Sequence, residues 1–323
     1  MQKSKILFSI PVHEKLEVVL DQLINIRTLN PDSCVVLHLS PVFDYVHSAL
    51  SLDEFKCIIN NMGGVIVNPV SVRTGFFDII QAHIANFNYA LTVLDFEYIA
   101  LLASNEMFVK PGLYDYIKNY DAGVDYCVIP TMTKVRIGKC AFEDPELRGM
   151  LDELKTDEIC RSQIEGSFYR KDVFKEMCEI INRHFDYRHL TKKDLYAREE
   201  VYFSAVFWGL YKDNNTISVS VKGMFTFVPW NRFSLFVNLS EAKKLSENGS
   251  NLFCIKRVDR TINDPIRIFL RQKYQYDTAL SQYTPIKKAP LWALHLMDYY
   301  GRCKQNATIF TQKAKKRILS KFQ

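Results

Sequence analysis

Asp95-Phe96-Glu97-Tyr98-Ile99-Ala100-Leu101-Leu102-Ala103-Ser104-Asn105-Glu106 is the stretch on which the fold turns. Tyr98–Ala103 is apolar throughout and is closed at once by Ser104-Asn105-Glu106. A short unbroken apolar run of this kind reads as a strand buried on both faces. Ile6–Val12 and Cys34–Leu39 are runs of the same type, and Val65–Val67 follows Gly63-Gly64. Between them Leu16–Ile26 and Phe77–Leu94 carry apolar residues at helical spacing. Strands alternating with helices predict an α/β fold with a largely parallel sheet, covered by helices on both faces.

Ligands of such sheets bind beyond the carboxyl ends of the strands. That rule selects Pro11, Val12, His13 and Glu14, then Ser40, then Arg73-Thr74-Gly75, and finally Ser104, Asn105 and Glu106. Asp95-Phe96-Glu97 has the shape of a metal-binding Asp-x-Asp, but it stands before the strand and so at the opposite edge. Glu106 alone is poor provision for a divalent cation.

Further along, Tyr126–Met132 reads as a strand and the charged Thr133–Arg161 as loop and helix. Lys171–Asn182 is helix-like. Thr216–Val221 and Gly223–Val228 are β-rich, the second ending at Pro229-Trp230-Asn231. Leu239–Glu247 is helical, and Leu252–Val258 is a last apolar segment with Lys256 and Arg257 embedded in it. Cations in an apolar segment need partners, and Asp259 and Asp264 are the nearest acids in the chain. Two features between Ile164 and Trp208 invite chemistry. Gly166-Ser167 precedes Phe168-Tyr169, and a glycine there lets backbone approach a ligand closely. Glu199-Glu200 precedes the apolar Val201–Trp208; partial burial raises a carboxylate's pKa and suits it to act as a base. The plainer reading of the same acids is the first turn of a helix.

The chain has 323 residues, with 48% hydrophobic and 24% charged residues. That composition belongs to an ordinary globular protein. There is no 18-residue apolar run, so no transmembrane helix is expected, and Ile6–Val12 reads as a first strand rather than a signal peptide. The eight cysteines include no Cys-x-x-Cys and most stand in apolar contexts, as in Tyr126-Cys127-Val128. Reduced thiols in a cytoplasmic protein are expected, not a disulfide framework or a zinc site. Residues 265–323 hold twelve of the 42 Lys and Arg but only Asp277 and Asp298 among the acids, a net +10 against −4 on residues 1–264. No Gly-x-Gly-x-x-Gly, phosphate-binding loop, His-Glu-x-x-His or Gly-x-Ser-x-Gly is present. A Rossmann methyltransferase is therefore disfavoured.

In order and spacing, these segments resemble the core-2/I-branching N-acetylglucosaminyltransferases and peptide-O-xylosyltransferases, with their bacterial relatives. The matching pieces are Val12-His13-Glu14, Arg73–Gln81, Asp95–Glu106, Gly166-Ser167-Phe168-Tyr169, Glu199-Glu200-Val201-Tyr202-Phe203 and Leu252-Phe253-Cys254-Ile255-Lys256. They cover roughly residues 5–270. Glu106 stands where the family has Gln-Asp, and Arg257 where it has an aromatic.

The resemblance implies a GT-A-type, Rossmann-like mixed sheet flanked by helices over residues 1–264. It also implies an inverting glycosyltransferase that needs no metal or other cofactor. The donor would be a nucleotide sugar, a UDP-sugar in this family, and the acceptor a glycan hydroxyl. Glu200 takes the position of the general base, and Lys256, aided by Arg257, that of the cation meeting the diphosphate. Glu165, Gly166, Ser167, Tyr169 and Trp230 fall on the acceptor side. Two alternatives stay open: a metal-dependent transferase using Glu106, and a non-catalytic glycan-binding or scaffold subunit.

Residues 265–323 are expected to form a basic helical extension. Ile309, Phe310, Ile318, Leu319 and Phe322 cluster to one side at helical spacing, with Lys313, Lys315, Lys316 and Lys321 over much of the rest. A basic amphipathic helix can lie on an anionic membrane, which suits a lipid-linked glycan acceptor of bacterial surface polysaccharide at the cytoplasmic face. The alternative is a solvated charge run or a helix docked on the acidic residues 1–264. No motif supports nucleic acid as a partner.

Overall fold

The computed structural model describes residues 2–45, 47–74, 79–186, 196–214, 216–221, 223–229 and 236–304. Gly75, Trp230 and the 309–322 segment, three of the positions singled out from sequence, lie outside them.

The first half builds the expected alternation: β1 (Gln2–Val12), α1 (Leu16–Leu29), β2 (Ser33–Leu39), α2 (Leu52–Met62), β3 (Val65–Val67), α3 (Ile80–Val93) and β4 (Leu94–Leu101). β1 runs parallel to both β2 and β4, and β2 parallel to β3. Successive β1 side chains take opposite faces, as the strand period requires. Leu7 joins one core cluster, with α3, and Ile6, Phe8 and Ile10 join the other, with α1. α3 runs into β4 without a linker, ending where the spacing placed it, and Asp95 and Glu97 sit exposed at the start of β4, away from its carboxyl end.

After β5 (Glu106–Phe108) and α4 (Leu113–Ile117) come β6 (Ala122–Val124) and β7 (Tyr126–Val128). β7 corrects the reading of Tyr126–Met132. It is three residues long, stays outside the main sheet, and pairs only with β8 (Cys160–Ser162). Val128 and Cys127 are exposed on that ribbon, because an edge pair has no second layer to bury them. Between β7 and β8 lie α5 (Arg136–Glu143) and α6 (Pro145–Glu153).

β9 (Phe168–Arg170) occupies the Gly-Ser-aromatic step and runs antiparallel to both β4 and β6. It leads into α7 (Lys171–His184), α8 (Arg198–Tyr211) and β10 (Val219–Val221). The main sheet has the order β10-β6-β9-β4-β1-β2-β3. It is a mixed sheet flanked by helices, and β9 is the antiparallel strand within it. β11 (Thr226–Phe227), α9 (Leu239–Glu247) and β12 (Cys254–Lys256) follow, and β11-β12-β5 form a second, three-stranded sheet.

Among the described residues beyond 264, the chain forms the helices α10 (Pro265–Tyr274) and α11 (Asp277–Ser281) and a helical run over residues 291–304. α10 packs on α1. Arg267 and Arg271 of α10 are completely buried there and pair with the equally buried Asp21 of α1, at 2.9 and 3.3 Å. The first turns of this basic segment thus form part of the core. Among the described residues no helix is long and apolar enough to cross a membrane, and all eight cysteines are free.

Candidate active site

Two neighbouring groups of polar side chains form beyond the carboxyl ends of β1, β2 and β4. In the first, the His13 N–H donates to Ser104 Oγ at 3.1 Å, tying the end of β1 to the turn after β4. His13 Nε2 meets Thr74 Oγ1 at 2.9 Å, and Ser40 Oγ donates to the Thr74 carbonyl at 3.3 Å. Behind them His38 Nε2 accepts from the Val72 N–H at 2.9 Å. Burial lowers the pKa of His13, and Arg260 lowers it further. Burial also carries His38 down to about 4, so it stays a neutral acceptor.

Glu14 is buried and its pKa is raised to about 7, a shift driven by desolvation and opposed by Arg260. The exposed Arg260 lies 2.9 Å from it, from the loop after β12. Arg73 is exposed, while Pro11 and Val12 are buried parts of the strand.

The second group is acidic. β5 and β12 pair antiparallel with Lys256 directly opposite Glu106, and Lys256 forms an ion pair with Glu165, just ahead of β9. The partner of this cation is therefore neither Asp259 nor Asp264. Gln163 Nε2 donates to the other Glu165 oxygen. Glu200, in the first turn of α8, has a raised pKa: burial is the main cause, Glu165 adds to it, and Lys256 and Arg161 oppose it.

α8 is held in place by Asp144, the N-cap of α6, whose Oδ2 accepts from Tyr196 and Tyr202 hydroxyls at 2.7 and 2.8 Å. The buried Arg198 guanidinium lies 3.4 Å from the same carboxylate. The plain reading of Glu199-Glu200 as first-turn acids of a helix holds, and it is that helix which brings Glu200 to Glu165 and Lys256.

Glu106 departs from its expected place among donor contacts. It is fully buried; Oε1 accepts from the Ala103 N–H at 2.7 Å and Oε2 from Thr226 Oγ1 at 3.0 Å. Its pKa rises to about 8 through desolvation, with Glu165 adding and Lys256 opposing. It braces the turn after β4 against β11 and has no face toward solvent.

Gly166 is also a bracing residue. Its φ is +85°, and a Cβ there would lie 2.5 Å from Thr226 Cβ and 2.6 Å from the Thr226 backbone nitrogen. Its N–H donates to the Leu101 carbonyl at 2.8 Å and its carbonyl accepts from Phe225 at 3.0 Å. The close approach read from sequence is to β11, not to a ligand. Ser167 is buried, donating to the Ile164 carbonyl at 2.6 Å. Tyr169 lies in the core between Phe174 and Phe207. β9 turns both side chains into the sheet. Of the described acceptor-side positions only Glu165 stands in the cluster.

Arg257 has φ +67° and its Nη1 donates to the Pro229 carbonyl at 2.9 Å. Gly166→Ala is expected to destabilise the fold by about 2 kcal/mol or more, since it adds left-handed strain to a backbone clash. A urea midpoint unchanged within error would refute this account of Gly166.

The residues missed from sequence are Arg260, Thr226 and Asp144. Only Asp144 had a local signal, as an N-cap ahead of Pro145 and Glu146. Among the described residues no three His, Cys, Asp or Glu side chains are grouped as a metal ion would need.

No family model and no curated protein matches the sequence. Among solved structures the chain is similar to galactosyltransferase LgtC in complex with donor and acceptor sugar analogues. The match has a TM-score of 0.41 and 10% identity, and it covers 89% of this chain and 98% of that one. It is also similar to an active-site mutant of LgtC, with a TM-score of 0.38 and 11% identity over 80% of this chain and 88% of that one.

Proposed function

We propose that the chain is a glycosyltransferase that moves a sugar from a nucleotide-diphosphate donor to a glycan hydroxyl by a single inverting displacement. The observation that carries this reading is the convergence of Glu200, Glu165 and Lys256 beside the carboxyl ends of the central strands. Glu200 is half-buried with a raised pKa, the state required of a base that removes a hydroxyl proton near neutral pH. Lys256 stands ion-paired to Glu165 and would exchange that partner for the leaving diphosphate, whose growing charge needs fixed cations. His13, Ser40, Thr74 and Ser104, with Arg260 beside Glu14, would line the donor side, and Glu165 would face the acceptor.

A UDP-sugar is the donor implied by the sequence resemblance, and a lipid-linked glycan met at an anionic membrane is the acceptor that suits the basic C-terminus. Transfer without a metal is part of the proposal. In support, both oxygens of Glu106, the acid nearest in position to an Asp-x-Asp, are already engaged inside the protein.

The test is turnover of a panel of nucleotide sugars with and without EDTA, on the native chain and on Lys256→Ala and Glu106→Gln. Turnover of one donor is expected to survive EDTA and to survive Glu106→Gln, and to fall about 10²–10³-fold in Lys256→Ala, as for loss of one group that stabilises transition-state charge. Glu106→Gln has a second expected signature. An acid whose pKa is raised by folding to about 8 costs stability as pH climbs from the unfolded value, 4.5, toward 8. The glutamine variant lacks that loss, so its melting temperature should gain on the native chain across this window. Turnover that dies in EDTA and in Glu106→Gln would establish the metal-dependent alternative. Binding of a sugar nucleotide with no turnover would mark a non-catalytic subunit.

A further inference from the structure

Of the thirteen large hydrophobic side chains exposed among the described residues, six stand on one helix, residues 291–304. The others are scattered singly, which is ordinary, whereas a contiguous apolar patch calls for a partner. At 100° per residue Trp292, Leu296 and Tyr299 fall within one narrow arc, and Tyr300 flanks it. Trp292 is 69% exposed and Tyr300 68%. The opposite side of the helix is anchored: Leu294 is buried in the third core cluster, and Asp298 accepts from the Leu239 N–H at 3.3 Å. The aromatic row is therefore held outward by packing on its back.

The surroundings are mostly basic. Between this helix and α9 opens a cleft of about 470 Å³ lined by Lys243, Lys244 and His295, with Glu247 its only acid. Lys273 lies within electrostatic reach of both Glu247 and Lys243, the former attracting and the latter repelling it. In sequence, residues 305–323 then add Lys313, Lys315, Lys316, Arg317 and Lys321 with no acid at all.

We propose that the exposed face of the 291–304 helix is the surface on which this protein lies against an anionic lipid bilayer. Trp292, Leu296, Tyr299 and Tyr300 would enter the interface, and the Lys243–Lys244–His295 cleft would receive lipid phosphate. The inference deepens the reading of the basic C-terminus as membrane-facing by giving that segment a built, aromatic platform to act beside. Trp and Tyr are the side chains that settle at a membrane–water boundary, with an apolar body and a polar tip. A second copy of the chain is a poor occupant, since two such faces would bring two basic segments together.

The test uses the full chain with phosphatidylcholine vesicles, with and without phosphatidylglycerol, at low and high salt. Co-sedimentation and quenching of tryptophan emission by brominated lipid are the readouts. Binding is expected only with phosphatidylglycerol, weaker at high salt, and with quenching. The pair Trp292→Ser/Tyr299→Ser should lose about tenfold or more in affinity and abolish the quenching. Lys243→Glu/Lys244→Glu should lose affinity while keeping any residual quenching. A chain ending at Lys304 should bind more weakly yet still require phosphatidylglycerol.

If the Trp292/Tyr299 variant pellets like the native chain while the shortened one does not, the tail alone binds and the platform is refuted. Absence of binding to any vesicle refutes it as well. A native dimer that the Trp292/Tyr299 variant converts to monomer would assign the face to a second copy instead. Turnover of soluble donor by the same variants, expected at the native rate, keeps a failure here separate from a failure of the transferase reading.

Discussion

Glu200→Gln is expected to lower sugar transfer by about 10²–10⁴-fold, the range for loss of a general base, or about 3–5 kcal/mol of transition-state stabilisation. The fold should survive, because α8 is fixed by Asp144, Tyr196, Arg198 and Tyr202 and not by this carboxylate. The pH profile supplies a second signature. Burial and Glu165 hold the proton on Glu200 to higher pH than an ordinary glutamate would. The base is therefore inactive below that raised pKa and active above it, so native kcat/KM should climb through an acidic limb. In the glutamine variant that limb should vanish. A dead Glu199→Gln beside an active Glu200→Gln would move the base by one residue. If both variants are active, neither acid of α8 is the base and Glu14, near 7, becomes the carboxylate to test.

Asp21→Asn is expected to be the most damaging single substitution in the core. Asp21, Arg267 and Arg271 have no exposed side-chain surface, and one carboxylate answers two guanidinium groups. Removing one partner of a buried pair costs about 3–5 kcal/mol, because it strands an uncompensated charge. Here two cations lose their ion-pair partner, although Glu14 and Asp264 still lie within electrostatic reach of Arg267, which keeps the loss within that range. Urea unfolding measures it directly; a loss below about 1 kcal/mol would mean that water reaches the arginines. The control is Arg271→Met. Arg267 also donates to the Asp259 carbonyl at 3.1 Å, whereas several Arg271 nitrogens have no hydrogen-bond partner among the described residues. Leaving a one-to-one pair and replacing an under-satisfied cation by an apolar side chain should be near neutral.

The parallel half of the sheet was legible in the chain because buried strands leave unbroken apolar runs. Ile6–Val12, Cys34–Leu39 and Tyr98–Ala103 mark β1, β2 and β4 to within a few residues, although β1 begins at Gln2, where the solvent-facing end of the strand carries polar residues. Most of the three-residue strands leave no such trace; Val65–Val67, set off by Gly63-Gly64, is an exception. Ala122–Val124 and Phe168–Arg170 are strands only because neighbours already in place offer them hydrogen bonds, so β6 and β9 escaped notice and Tyr126–Met132 drew the assignment instead. For the site, the strand-end rule found His13, Glu14, Ser40 and Ser104. The partners that set their chemistry come from far along the chain: Lys256 to Glu165, Arg260 to Glu14, Thr226 to Glu106. Such pairings follow from topology, and local spacing is silent on them. The burial of Tyr169 and Ser167 was hidden for the complementary reason, that a Gly-Ser-aromatic step looks the same whether it meets a ligand or another strand.

The burial of Asp21 against α10 has a consequence for how the chain comes off the ribosome. Asp21 and Arg267 are 246 residues apart in sequence. At about 5–20 residues per second, α1 waits on the order of 10–50 s after its own synthesis for the cations that let it dock. Throughout that time a charged carboxylate sits on the face of α1 that must enter the core, and β5 lacks its partner β12 as well. The part of the core around Asp21 therefore has to wait for synthesis of α10, however early the first strands are made. A circular permutant that places residues 265–304 ahead of β1 would remove the wait, and its yield in cells relative to the natural order would read out how much of the folding time the delayed arginines consume.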